Sequence, residues 1–366
     1  MTARHKRLGE RITWLAVPLV VLSWLGVAAV APALATASFS VTHYSAPGVD
    51  PWGTAFDQNG NLWLAQPGCD PPNSCANAPA PKLALFNPVT HRFTTVLSLD
   101  NVGRPLFVAV APDGRVWFTM PVSNAIGVYD PATATVSQWT VPTADSSPYD
   151  LAVDPHGIVW FAEKTASKIG TFNPATSTFS EVATPTPNSV PYGISVDPNG
   201  TVWFTENSDS VAQIGEITPK GTILEYKVRN VLAPFNGLTP HLITEDQHGN
   251  PWWSEGFAGG VGTLNLSQAQ PGTNNGVTEY RYSNCGYCGF HTSGIVYHNG
   301  RIWFDDSISN QFGFIPEGGG QFTFFQSPGY HPHDGLNLNG QGQVFFDEEF
   351  SNTLAESSAT NGSLKH

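Results

Sequence analysis

From Val190 to Tyr226 the chain alternates short apolar runs with polar turns. The segments ISV, VWFTE, QIGEIT and ILEY are rich in β-branched and aromatic residues, with Asp-Pro-Asn-Gly and Pro-Lys-Gly as turn chemistry among them. This stretch predicts one four-stranded antiparallel unit. Such a sheet buries a single face and cannot stand alone. The chain repeats it. An aromatic or apolar pair recurs at Trp63-Leu64, Trp117-Phe118, Trp160-Phe161, Trp203-Phe204, Trp252-Trp253, Trp303-Phe304 and Phe345-Phe346, at spacings of 54, 43, 43, 49, 51 and 42 residues. A turn such as Pro155-His156-Gly157 or Pro198-Asn199-Gly200 precedes most pairs. That period, with four strands per unit, predicts an all-β, seven-bladed β-propeller of four-stranded antiparallel blades.

The ends of the chain predict how the ring closes. Ser38 to Tyr44 alternates like the outermost strand Thr178 to Val182, yet has no blade of its own. After Phe345-Phe346 only Asn352 to Ser357 remains strand-like, so the last repeat lacks that strand. The N-terminal strand is expected to join the last blade, which removes a free edge.

The first 37 residues follow another pattern. Arg4, Lys6, Arg7 and Arg11 precede an uncharged, mostly apolar run from Ile12 to Ala37 that ends in small-x-small motifs. This reads as a secretory signal peptide at 1–37, with one propeller domain at 38–366 and a secreted product. An uncleaved membrane anchor is the alternative. Without the four basic residues and Glu10, 12 Lys and Arg stand against 28 Asp and Glu, a formal net charge of −16. That argues against nucleic acid or an anionic membrane as partner. A monomer acting on a small-molecule or cyclic peptide ligand is expected. In an exported chain, Cys69 with Cys75 and Cys285 with Cys288 are expected as disulfides.

Repetition builds the scaffold, and departures from it mark the site. First strands of propeller blades line the channel, so their entries face one mouth. Early entries carry Trp52, Tyr149 and Tyr192; late ones carry His241, His291 and His333. Gln66, Met120, Glu163, Glu206, Glu255, Asp306 and Glu348 follow the pairs. Such recurrence suits a structural role, for instance in holding a neighbouring blade's loop. Blade seven differs, because Asp347-Glu348-Glu349 sets three carboxylates together. Adjacent like charges call for a cation, a proton or full solvation. Mg2+, which takes oxygen ligands, suits them.

Trp203-Phe204-Thr205-Glu206-Asn207 with Ile214-Gly215, and Phe161-Ala162-Glu163 with Lys168-Ile169-Gly170, resemble the repeats of the streptogramin B lyase (virginiamycin B lyase) family. The resemblance spans about Ser38 to Ser357. It implies a seven-bladed propeller that opens a cyclic depsipeptide by elimination with a magnesium ion. It implies catalytic roles for His333 and His241, and a metal ligand at Glu348 or Glu349. Trp52, Tyr149, Tyr192 and His291 are the expected substrate contacts at the mouth. His331 stands where the family has a glutamate, which favours a softer ion such as zinc. A non-catalytic extracellular binding propeller is the competing reading.

Overall fold

The computed structural model describes residues 38–70, 75–228, 240–282 and 289–360. The expected leader, Cys285 and Cys288 lie outside them. The described strands form seven four-stranded antiparallel sheets. First strands of neighbouring blades touch all the way round, blade seven against blade one included. The sequence pattern thus becomes a closed seven-bladed ring.

Blade four shows how the repeat works. Its strands are Pro191–Val196, Val202–Glu206, Gln213–Ile217 and Ile223–Lys227, paired in chain order. In the first turn, Asp197 Oδ1 accepts the backbone N–H groups of Asn199 and Thr201, both at 2.8 Å. Gly200 there has φ of 84°, a conformation that strains other residues. Successive strand residues point to opposite faces. Trp203 therefore packs with Ile243 and Trp253 of blade five, and Phe204 with Ile169 of blade three. One aromatic pair fills two seams between blades, each buried ring stabilising by about 1.5–3 kcal/mol. Gly215 lies opposite Phe204, and a Cβ on it would sit 1.9 Å from the ring.

The last sheet runs Asn337–Leu338, Val344–Glu348, Thr353–Thr360 and, outermost, Ser38–Ser45. Ser38 pairs with Thr360 and Ser45 with Thr353. The closure is as expected, although the partner strand runs to Thr360. Asn352 caps the short 3-10 turn Glu349–Ser351 in a left-handed conformation.

Several members of the recurrent polar series hold the loop entering their own blade, rather than a neighbour's. Gln66 accepts the Gly48 N–H, Asp306 that of His291 at 3.0 Å, and Glu348 that of Gly329 at 3.0 Å. Cys69 and Cys75 form a disulfide in the blade-one insertion.

Candidate active site

Rigid first strands bring the expected mouth residues into one ring of contacts. Trp52 meets His333 edge-on, with centroids 4.6 Å apart. His333 stacks on His291 at 5.7 Å, and His291 meets His241 at 4.8 Å. Tyr192 lies 4.1 Å from His241 and 4.3 Å from Tyr149. All six side chains are buried. Their positions are set from behind. Thr205 Oγ1 donates to the His241 carbonyl at 2.6 Å and accepts the Gly193 N–H at 2.8 Å. The His291 Nδ1 lies 2.9 Å from the hydroxyls of both Ser293 and Ser307.

Asp334 was not among the expected residues, yet it lies at the centre. In blade four Pro191 faces Glu206 and Ile194 faces Phe204. In blade seven Pro332 faces Glu348 while Asn337 faces Phe345, so that entry is one residue longer. The extra residue is Asp334, between His333 in the ring and Gly335, two residues before the strand. Its Oδ1 lies 3.1 Å from His241 Nε2, and its Oδ2 3.6 Å from His333 Nδ1. The Tyr192 hydroxyl lies 3.1 Å from both Asp334 Oδ2 and the Tyr149 hydroxyl. Burial alone would raise the Asp334 carboxyl. The facing His333 and His241 outweigh burial and hold it well below the usual carboxylate range. His333 is pushed down by burial, an effect Asp334 partly offsets.

Lys164 is the second residue that the repeat pattern concealed. Its ammonium sits 3.9 Å from the Tyr149 ring centroid and 4.7 Å from that of Tyr192. Burial pushes it down to about 8. The sequence did carry a signal. Lys164 is the only basic residue directly after the recurrent polar position, where the other blades have Pro67, Pro121, Asn207, Gly256, Ser307 and Glu349.

The two candidate carboxylates part company. Glu348 is fully buried and enclosed by hydrogen bonds from Ser327, the Gly329 N–H, Thr353 at 2.6 Å and His43 at 2.5 Å. It is not brought to the histidines. Glu349 is, with Oε2 3.4 Å from His331 Nε2. His331 stacks on His333 at 5.1 Å and on Phe350 at 4.2 Å, and its φ of 65° is a strained conformation for a histidine. Burial lowers His331 to about 3 and raises Glu349 to about 8. His331, His333 and Glu349 each offer a ligand atom within 4.8 Å of the others. Two nitrogens and one carboxylate do not fit magnesium, which prefers an oxygen shell. They suit a borderline transition ion.

A seven-bladed propeller with a buried histidine–carboxylate cluster at one channel mouth is the class of protein that fold and site define. The virginiamycin B lyase family model matches residues 93–364, and the chain belongs to that family. Among solved structures, a streptogramin B lyase superposes with a TM-score of 0.72 at 23% identity, covering 88% of this chain and 98% of that one. A catalytically inactive histidine-to-alanine variant of virginiamycin B lyase from Staphylococcus aureus, solved with quinupristin, gives 0.72 at 22%, covering 88% and 100%. The WD40 repeats of RRP9 give 0.66 at 10%, covering 87% and 97%. These likenesses show the fold. No curated protein matches significantly.

Proposed function

We propose that this chain is an exported lyase that opens a cyclic ester-containing peptide by elimination. The observation that carries the reading is the convergence of His333, His241 and Asp334 in the mouth of a virginiamycin B lyase family propeller. His333 is the base. Nδ1 turns toward Asp334, which leaves Nε2 for the substrate's Cα proton. As that proton leaves, its electron pair forms the new double bond, the Cβ–O bond breaks and a carboxylate departs. Asp334 stabilises the imidazolium that results. The Lys164 ammonium offsets the enolate-like charge, and His241 with Tyr192 orients the ester. The aromatic walls formed by Trp52, Tyr149 and Tyr192 suit a cyclic peptide with apolar side chains. A divalent ion at the outer His331–Glu349 pair would supply Lewis-acid character.

The test uses quinupristin as substrate, with wild type and His333→Ala. Elimination yields a linear product of unchanged mass, whereas hydrolysis adds one water. The linear isomer is expected with wild type, and a loss of roughly 10²- to 10⁴-fold with His333→Ala. No ring opening by wild type, with or without added divalent ions, sinks the lyase reading in favour of a binding propeller.

A further inference from the structure

The atoms His241 Nε2, His333 Nδ1 and Asp334 Oδ1 share an unusual state. All three residues are at least nine-tenths buried, at 6%, 6% and 5% exposure. None of the three atoms has a hydrogen-bond partner among the described residues. The 3.1 Å between His241 Nε2 and Asp334 Oδ1 would suit a hydrogen bond, but the ring nitrogen is not aligned for one. A buried ion pair selected for stability would be aligned, since an unpaired buried polar group costs about 1–3 kcal/mol. His241, His333 and Asp334 instead each offer one ligand atom, and these atoms lie within 4.8 Å of one another. Two ligands of one zinc-class ion, bound at about 2.0–2.2 Å in tetrahedral geometry, stand roughly 3.4 Å apart. His241 Nε2 stands 3.1 Å from Asp334 Oδ1 and His333 Nδ1 3.6 Å from Asp334 Oδ2, so each ring lies near that spacing from one oxygen of the carboxylate.

We infer that His241, His333 and Asp334 form an inner binding site for a borderline divalent transition ion, distinct from the outer His331–Glu349 pair. Two imidazoles and one carboxylate are a donor set for zinc, cobalt or iron(II), and not for magnesium or calcium. Outer contacts steady the ligands. Tyr192 holds Asp334 Oδ2, and Asn207, anchored on the Pro240 carbonyl at 2.9 Å, lies 3.4 Å from His241 Nδ1. The inserted residue in the blade-seven entry has a purpose on this account, because without Asp334 the site has no carboxylate.

The site deepens the lyase reading and constrains it. An ion on His333 Nδ1 fixes the proton on Nε2 and so removes the base. Occupancy of the inner site is therefore an off state of that reaction.

The test measures binding directly and needs no turnover. The metal-stripped mature protein is titrated with Co2+, read by its visible ligand-field bands, and with Zn2+ by calorimetry against a chelator. Wild type is expected to bind an ion at the inner site, with bands of low coordination number, whatever the outer pair holds. Asp334→Asn should weaken that ion at least about 100-fold, Asp334→Glu should restore part of it, and His331→Ala should leave it in place. Melting curves of the metal-free variants confirm that each is folded. Absence of binding by wild type overturns the proposal. So does binding that survives Asp334→Asn but is lost in His331→Ala, which would assign the ion to the outer pair. Where ring opening is detected, Zn2+ should inhibit wild type. Absence of ring opening bears only on the lyase reading and leaves the binding result standing.

Discussion

In blade four Thr205 joins two first strands, while in blade seven the same position is Asp347. The hydroxyl accepts one backbone N–H and donates to the next blade's carbonyl. Thr119 does the same between Phe107 and Tyr149, and Ser254 between Leu242 and Ser293. Asp305 and Asp347 accept only, from Gly294 and Gly335 at 2.8 Å, and their second oxygens have no partner among the described residues. Burial pushes both carboxyls well above the usual range. At this bridging position Thr119, Thr205 and Ser254 satisfy both the backbone N–H and the carbonyl they join. The departing part, where the histidines cluster, leaves buried polar atoms unpaired. Stability and chemistry are thus assigned to different blades of one repeat.

The largest effect should come from reopening the ring. Removing Ser38–Ser45 strips the whole outer strand from blade seven and exposes the edge of Thr353–Thr360. A mature protein starting after Ser45 is expected to melt more than about 10 °C lower and to aggregate on heating. An unchanged melting temperature would show that blade seven stands without its N-terminal strand.

The regular part is next probed by packing. Gly215→Ala forces a Cβ into the Phe204 ring and is expected to cost about 1–3 kcal/mol in chemical denaturation. Gly318, where a Cβ meets nothing within 4 Å, is the control, and Gly318→Ala should be neutral. Equal effects would mean that the aromatic pair does not set the spacing of the strands.

Thr205→Ala tests where the two parts meet. It leaves the Gly193 N–H and the His241 carbonyl without their bridge, at a cost of about 1–3 kcal/mol. Thr205→Ser should recover most of that. Ala65 and Ala162 occupy this position in blades one and three, so the fold tolerates the change. On the proposed lyase reading, because His241 is carried on the bridged carbonyl, Thr205→Ala should also weaken binding of the quinupristin probe by a few-fold in calorimetry.

The sequence showed the scaffold well and the site in part, for a physical reason. A residue repeated seven times reports its burial seven times, so Trp203-Phe204 and its counterparts could be placed without a structure. A site residue occurs once. His241 and His333 stood out because they replace aromatic residues at a repeated position, whereas His291 lies two residues before that position, which Ser293 occupies. Asp334 could have been found by counting, since Pro332 to Gly335 is one residue longer than Pro191 to Gly193. The choice between Glu348 and Glu349 was beyond reach. It depends on the strand ending at Glu348 and a 3-10 turn beginning at Glu349, which turns only the second side chain toward the histidines.

The smallest expected effect lies in the regular part and appears only at higher pH. Glu163 is fully buried, with neither oxygen hydrogen-bonded among the described residues. Burial first, and the charge of Glu181 second, raise its carboxyl to about 7. Between about pH 4.5 and 7 the folded protein therefore holds a proton that the unfolded chain has released. Stability must fall as pH rises through that window and level off above it. Glu163→Gln removes the titration. The variant should match wild type at pH 4, up to a constant offset from the new amide. It should gain on wild type by about 1–2 kcal/mol at pH 8, less than the full shift implies because residual solvent screens the charge. Urea denaturation at both pH values reads this difference. An offset that is the same at pH 4 and pH 8 would mean that Glu163 titrates in the folded protein as it does in the unfolded chain, and that even the regular blades keep an unpaired buried charge at neutral pH.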